Sequence, residues 1–274
     1  MRPSVVASPA ATVSALLGEP LLVARDVSKR YGGLLALSSY SLDLAGGVIH
    51  GVIGPNGAGK TTLFNLLSGM VKPTTGTIHL AGEDVTHLPA EQVSRRGIVR
   101  TFQNIRLFGD LSVVDNVKAG VQMRHRTSFW STVVTTPGFR RQEATIEAEA
   151  LEMLERVDLV PLASRPAGSL PYGDQRRLEI ARALATRPRI LMLDEPNAGM
   201  NPSETDALLG LIRRIRDELG VTIVMIAHDI PLVMNLCDRI QVLNFGSLIA
   251  EGDPATVRAD PEVVAAYLGT SRHA

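Results

Sequence analysis

The sequence has almost no cysteine: Cys237 stands alone among 274 residues, which excludes an internal disulfide and fits a reducing compartment and a place in the packing. It also lacks net charge. Lysine plus arginine and aspartate plus glutamate number 28 each, so no overall field draws the chain to nucleic acid or an anionic membrane, and phosphate binding has to be local. Long apolar runs are missing too, since windows such as Val221 to Ala227 fall far short of the roughly 20 residues that cross a bilayer. No internal repeat is evident. In Met1 to Glu19 basic residues are scarce, with only Arg2 beside Pro3 and Pro9, so a secretory signal is thin there. The expectation is a disordered tail or an overlong start, followed by one domain over residues 20–274.

What is present is a globular composition, 45% hydrophobic, in a chain long enough for one large domain or two small ones. From Leu21 onward short apolar runs alternate with helical patterns, the reading of an α/β fold with a mostly parallel sheet covered by helices. Three runs read as buried strands: Val48 to Ile53, Ile190 to Leu193 and Val221 to Ala227. The first feeds a glycine-rich loop, the second ends at Asp194 and the third at His228. Polar groups at the carboxyl ends of such strands are where open α/β sheets bind ligands, so the three motifs are expected to converge. Between about residues 112 and 187 helical patterns take over, notably Glu143 to Val157 and Gln175 to Thr186, which predicts a helical insertion. Within it, Met123 to Arg141 gathers Arg124, Arg126, Arg140 and Arg141 with Phe129, Trp130 and Phe139. This stretch reads either as a solvated loop or as a surface for a partner or lipid headgroups.

Gly54-Pro55-Asn56-Gly57-Ala58-Gly59-Lys60-Thr61 has the spacing of a phosphate-binding loop, placed between a predicted strand and a predicted helix from Thr61 to Met70. Glycines let successive N–H groups turn inward onto phosphate oxygens, and the helix amino terminus adds partial positive charge. Lys60 brings a full charge to the β- and γ-phosphates. Thr61 offers a hydroxyl to Mg²⁺, a hard ion that shares oxygen ligands between protein, water and phosphate, and Thr62 follows in the same turn. Asp194 and Glu195 close an apolar strand. The aspartate suits the metal shell, and the glutamate suits polarising a water for in-line attack on the γ-phosphate of ATP.

With the remaining motifs the chain resembles the ATPase subunits of ABC transporters from Leu21 to Gly269. Besides the loop and Asp194-Glu195-Pro196, the likeness rests on Gln103 in Arg100-Thr101-Phe102-Gln103, on Leu170-Pro171-Tyr172-Gly173-Asp174-Gln175, and on His228-Asp229. It implies a P-loop NTPase fold with a mostly parallel core, an antiparallel β subdomain and an inserted helical subdomain. It also implies that Gln103 senses Mg²⁺ and the attacking water, and that His228 contacts the γ-phosphate. Tyr31 falls where the family stacks an aromatic on adenine, with a packing tyrosine as the alternative. The segment Leu170 to Gln175 stands in the place of the family's Leu-Ser-Gly-Gly-Gln signature, before a helix. There Pro171, Tyr172, Gly173 and Asp174 would reach ATP held by the opposite subunit. Pro171 departs from the pattern, because it removes a hydroxyl and a backbone donor.

Within the family the likeness is to an ATPase subunit of the branched-chain amino-acid importers. It is carried by Arg100 to Phe108, Tyr172 to Arg182, Asp194 to Pro202, His228 to Met234 and Ala266-Tyr267-Leu268-Gly269. The implied partners are a second ATPase subunit, identical or not, integral membrane permeases and, indirectly, a solute-binding protein, with no nucleic acid. The implied place is the cytoplasmic face of the inner or plasma membrane, as a peripheral subunit, and the segment Asn104 to Asn116 is the implied permease contact. The rival expectations are a lipopolysaccharide-export ATPase and a soluble ABC protein outside transport.

Overall fold

A computed structural model describes residues 19–124 and 137–268. The expected tail before residue 19, and the aromatic-basic stretch at Phe129 and Trp130, lie outside the described residues. Strands β1 (Leu22–Tyr31) and β2 (Leu34–Leu44) open the chain, and β3 (Ile49–Ile53) leads through the glycine loop into helix α1 (Lys60–Leu67). Next come β4 (Thr75–Leu80), β5 (Glu83–Asp84), α2 (Ala90–Arg95) and β6 (Ile98–Arg100). The predicted helical stretch holds α3 (Val113–Gln122), α4 (Pro137–Arg156) and α5 (Tyr172–Leu184). Alternation then resumes with β7 (Ile190–Asp194), α6 (Pro202–Leu219), β8 (Thr222–Ile226) and α7 (Ile230–Leu236). The hairpin β9 (Arg239–Asn244) and β10 (Ser247–Gly252) and the short helices α8 (Pro254–Ala259) and α9 (Pro261–Leu268) complete the described chain.

The strands form two sheets. One is four-stranded in the order β2-β1-β4-β5 and wholly antiparallel, and the other is six-stranded in the order β10-β9-β3-β8-β7-β6. In the larger sheet only the β9–β10 pair is antiparallel, so the core is mostly parallel. Its central strands β3, β7 and β8 are buried at every position and mostly apolar, because both faces are covered. The period of two divides them cleanly. Leu191, Leu193, Ile223 and Met225 face a core built with α3 to α7, while Ile190, Met192, Val224 and Ile226 face a second core shared with α1 and the antiparallel sheet. Cys237 packs in the first of these cores, where burial pushes its thiol up to about 12, so it is a packing residue and not a reactive one.

Two helix limits differ from the sequence expectation for local reasons. Helix α1 ends at Leu67 instead of reaching Met70, because the Ser68 hydroxyl bonds back to the Phe64 carbonyl at 2.7 Å and the Gly69 N–H tightens onto Leu66. Helix α5 starts at Tyr172, three residues before the predicted Gln175. Pro171 takes the N-cap position in extended geometry, φ −55° and ψ 153°, and Tyr172, Gly173 and Asp174 form the first turn instead of a loop before it. Helix α6 carries a full capping box, in which the Asn201 side chain accepts from Glu204 N–H and the Glu204 carboxylate accepts from Asn201 N–H. Among the described residues no helix is long and apolar enough to cross a membrane.

Candidate functional site

The loop after β3 is shaped by contacts that only glycine tolerates. Gly54 has φ 152°, and a Cβ there would lie 2.1 Å from the Leu243 carbonyl oxygen; Gly59 has φ 100° and would strike the Ala36 carbonyl at 2.7 Å. The loop is thereby wedged between β9 and β2. Helix α1 starts directly from it with no acidic residue in its first turn, so its amino terminus stays favourable to an anion. Lys60 is buried and folds back to donate to the Gly54 and Pro55 carbonyls at 2.7 and 3.0 Å. Burial lowers its pKa from the ordinary lysine value, and the Glu195 and Asp194 carboxylates oppose that shift.

Gln103, Glu195 and His228 come together from three strand ends. Gln103 Nε2 donates to Glu195 Oε2 at 2.8 Å, and His228 Nε2 lies 2.5 Å from Glu195 Oε1. Glu195 holds φ 46°, a left-handed conformation that costs an L-residue about 1–2 kcal/mol and turns its carboxylate away from the line of β7. Asp194, the last residue of β7, points elsewhere. Its Oδ2 accepts from Arg100 Nη2 at 2.6 Å, and both side chains are buried. The two neighbouring acids therefore hold different partners, Asp194 at the end of the strand and Glu195 in the left-handed turn that follows it.

These groups line a cleft of about 700 Å³ that also includes Tyr31, Asn56, Gly57, Ala58, Gly59, Thr61 and Thr62. Gly54 and Asp194 are buried at its margin and are not part of its wall. Tyr31 is 44% exposed, with Lys29 Nζ 5.1 Å from its ring centroid, so the ring is an open face at the rim and not a packed tyrosine. Among the described residues no set of three His, Cys, Asp or Glu side chains could cage a metal. Thr61, Gln103 and Asp194 supply a sparse oxygen set, which fits an ion that keeps waters and phosphate oxygens as ligands.

The structure does not bring Pro171, Tyr172, Gly173 and Asp174 to this cleft. Pro171, Gly173 and Asp174 line a separate cavity of about 130 Å³ with Arg177, Met200, Glu204 and Leu208, and Tyr172 is exposed beside it. The α5 amino terminus has no side-chain cap. Asp174 lies 4.0 Å from Arg177, which draws its charge sideways.

Several participants escape a sequence reading. Leu34, Leu35, Ala36, Phe245 and Gly246 line the cleft from β2 and the β9–β10 turn, and Phe245 is 86% exposed there. Arg100 holds Asp194 and also donates to Asn65 Oδ1 at 2.6 Å, with the Phe64 and Phe102 rings each 5.4 Å away. Tyr267, on α9, is pushed up to about 12 by burial and held back by a hydrogen bond with the Gly54 backbone. The Tyr-Leu-Gly motif signalled relatedness in sequence, but only the fold places its tyrosine under the glycine loop.

Comparison with known proteins matches residues 37–198 to the ABC transporter family and residues 247–273 to a family described as branched-chain amino acid ATP-binding cassette transporter. The chain is 47% identical over 253 residues to the high-affinity branched-chain amino acid transport ATP-binding protein BraF of Pseudomonas aeruginosa, covering 92% of this chain and 99% of that one. The same identity and coverage hold for LivG of Escherichia coli, which carries the same description. Among solved structures, the ADP conformation of an ATP-binding cassette of an ABC transporter superposes with TM-score 0.79 at 31% identity, covering 91% of this chain and 98% of that one. A dimeric cassette in a post-hydrolysis state with ADP and Pi gives TM-score 0.71 at 25% identity, over 85% of this chain and 98% of that one.

Proposed function

The chain belongs to the ABC transporter ATPases, and from that membership we propose that it drives an importer of branched-chain amino acids. Its reaction is the hydrolysis of ATP to ADP and phosphate. The observation that carries the mechanism is the convergence of Gln103, Glu195 and His228 on the cleft below the glycine loop. Adenine stacks at the Tyr31 rim, the loop N–H groups and Lys60 hold the β- and γ-phosphates, and Lys60 exchanges its two backbone carbonyl contacts for phosphate oxygens. Thr61, Asp194 and Gln103 would hold Mg²⁺, which would supply positive charge against the phosphate oxygens. Glu195 has four lone-pair positions, of which Gln103 and His228 use two, so a water can donate to a third without displacing either. The carboxylate takes the water's proton as the oxygen bonds to the γ-phosphorus and the bond to ADP breaks. His228 is 45% exposed, which supports its turning from Glu195 to the phosphoryl oxygens as ATP binds.

A second ATPase subunit completes each site. The α5 amino terminus lies outside this chain's own cleft and leaves its first N–H groups uncapped, which supports its use on ATP held by the partner. The permease contact lies in Asn104 to Asn116. Fully buried Asn116 pins that loop through the Phe108 backbone and the Ser112 carbonyl, and this leaves Phe108 and Leu111 outward at 54% and 44% exposure. The solute never touches this subunit, so the branched-chain assignment is supported by the relatives and by the match over residues 247–273. Vesicles holding this chain, its partner ATPase, the permeases and the binding protein test it. Leucine, isoleucine or valine should stimulate ATP hydrolysis and accumulate. Stimulation by another amino acid alone would overturn the solute assignment and leave the ATPase intact.

A further inference from the structure

Arg176 is fully buried on the second turn of α5, and its guanidinium joins its own helix to the segment that follows β6. Nη1 donates to the Phe102 carbonyl at 2.8 Å and to Glu179 Oε2 at 2.7 Å, and Nη2 donates to the Gln103 carbonyl at 2.8 Å and to the Tyr172 hydroxyl at 3.4 Å. Glu179, one turn further and 2% exposed, accepts the Phe102 N–H on Oε1 at 3.4 Å. One face of α5 therefore holds three backbone groups of the Phe102-Gln103 segment. Gln103 in turn touches Glu195 at 2.8 Å. Taking two charges out of water is expensive, and a buried ion pair is weak ground for stability by itself. What a planar guanidinium adds is direction, because its donors fix two carbonyls at once.

We propose that Arg176, with Glu179, is a positioning residue that ties the amino terminus of α5, offered to the partner's ATP, to the placement of Gln103 at this subunit's own ATP. The link couples the two half-sites inside one chain, so that engaging the partner's phosphate orients the group that orders the water. It rests on the proposed roles of Gln103 and of the α5 terminus. The alternative is that the ion pair only glues α5 to the core.

The test is a cycle on the assembled transporter in vesicles, measuring kcat and KM for ATP separately for Gln103→Ala, Arg176→Lys and the double variant. A lysine keeps the charge but cannot grip both carbonyls, and loosening a water-positioning group by around an ångström lowers the rate by about 10- to 100-fold. The expected result is a fall in kcat for Arg176→Lys with KM for ATP unchanged, and no further fall when it is added to Gln103→Ala. The apolar pair Arg176→Met/Glu179→Leu leaves no buried charge unpaired; it releases the Phe102 and Gln103 backbone groups, so the chain should still fold, with a lower melting temperature, and show the low kcat with KM for ATP unchanged. Multiplying losses in the cycle, or normal kcat in the apolar pair, would overturn the link while leaving Gln103 in its role. If Gln103→Ala itself kept full kcat, the reading of Gln103 would fail and this inference would fall with it.

Discussion

The two helix amino termini proposed to meet phosphate are built to different degrees. At α1 the loop is locked by Gly54 beneath the Leu243 carbonyl and by Gly59 against Ala36, a buried lysine waits behind it, and no acid enters the first turn. At α5 the N-cap is an exposed proline with no side-chain cap, and Asp174 sits in the first turn. The first terminus is a complete anion site within one chain. The second has open donors but no lysine, no enclosing loop and a neighbouring negative charge, so it adds to a phosphate held by something else. On the proposed reading, this asymmetry would let one subunit bind nucleotide alone while hydrolysis requires a second.

The largest test of that division lies at Glu195. Glu195→Gln keeps the hydrogen bond to Gln103 but removes the charge that accepts the water's proton, so turnover should fall about 10²- to 10⁴-fold while MgATP affinity holds. Rates in the presence of the partner ATPase, with equilibrium binding alongside, check both halves. Near-normal hydrolysis would shift the water-positioning role to His228 or Gln103.

Lys60→Ala strikes the complete terminus. Losing charge-assisted bonds of about 1.5–3 kcal/mol should weaken MgATP about 10- to 100-fold and stop transport, and the fold should survive because Gly54 and Gly59 still shape the loop. An unchanged dissociation constant would remove the loop from the phosphate site. A smaller effect follows from Asp194→Asn, which should raise the Mg²⁺ concentration needed for half-maximal nucleotide binding about 10-fold, as removal of an outer-shell ligand does. The same carboxylate neutralises buried Arg100, so the melting temperature should drop as well. Thr61→Ala should move the metal dependence alone. A Mg²⁺ requirement untouched by Asp194→Asn would assign that residue to Arg100 only.

Much of the complete terminus was legible in the sequence because its signals are local. A glycine pattern between a strand and a helix, and two acids closing an apolar strand, state their geometry within a few residues. The partners that set those groups were not legible. Arg100 meets Asp194 because β6 and β7 pair in parallel with Arg100 opposite Met192, and Phe245 and Tyr267 reach the loop from beyond residue 240. Such contacts are products of strand order, which no local pattern encodes. The α5 boundary differs from the sequence expectation for another reason. Gly173 in a Pro-Tyr-Gly-Asp run looks like loop, but a proline N-cap starts a helix there, and the packing of Arg176 and Leu178 overrides the low helix propensity of glycine.

That corrected boundary sharpens the smallest prediction, which concerns the incomplete terminus. The sequence suggests that Pro171 weakens pairing by lacking a hydroxyl and an N–H. Because Pro171 is the N-cap, a serine in its place can accept from an N–H of the first turn and still have its own hydrogen to donate. Pro171→Ser should therefore act twice. Capping stabilises the isolated chain by about 1 kcal/mol, which for a chain of this size raises the melting temperature by about 2–4 °C. The donated hydrogen, if the α5 terminus reaches the partner's ATP, adds up to about 1 kcal/mol to ATP-driven pairing, or roughly a fivefold gain in the association constant. Melting the lone chain and sedimenting it with a hydrolysis-blocked partner in MgATP measure the two effects separately. A higher melting temperature with an unchanged association constant would mean that the hydroxyl serves only its own helix. The α5 terminus would then contribute through its backbone N–H groups alone, and the contrast with α1 would be wider than the residues suggest.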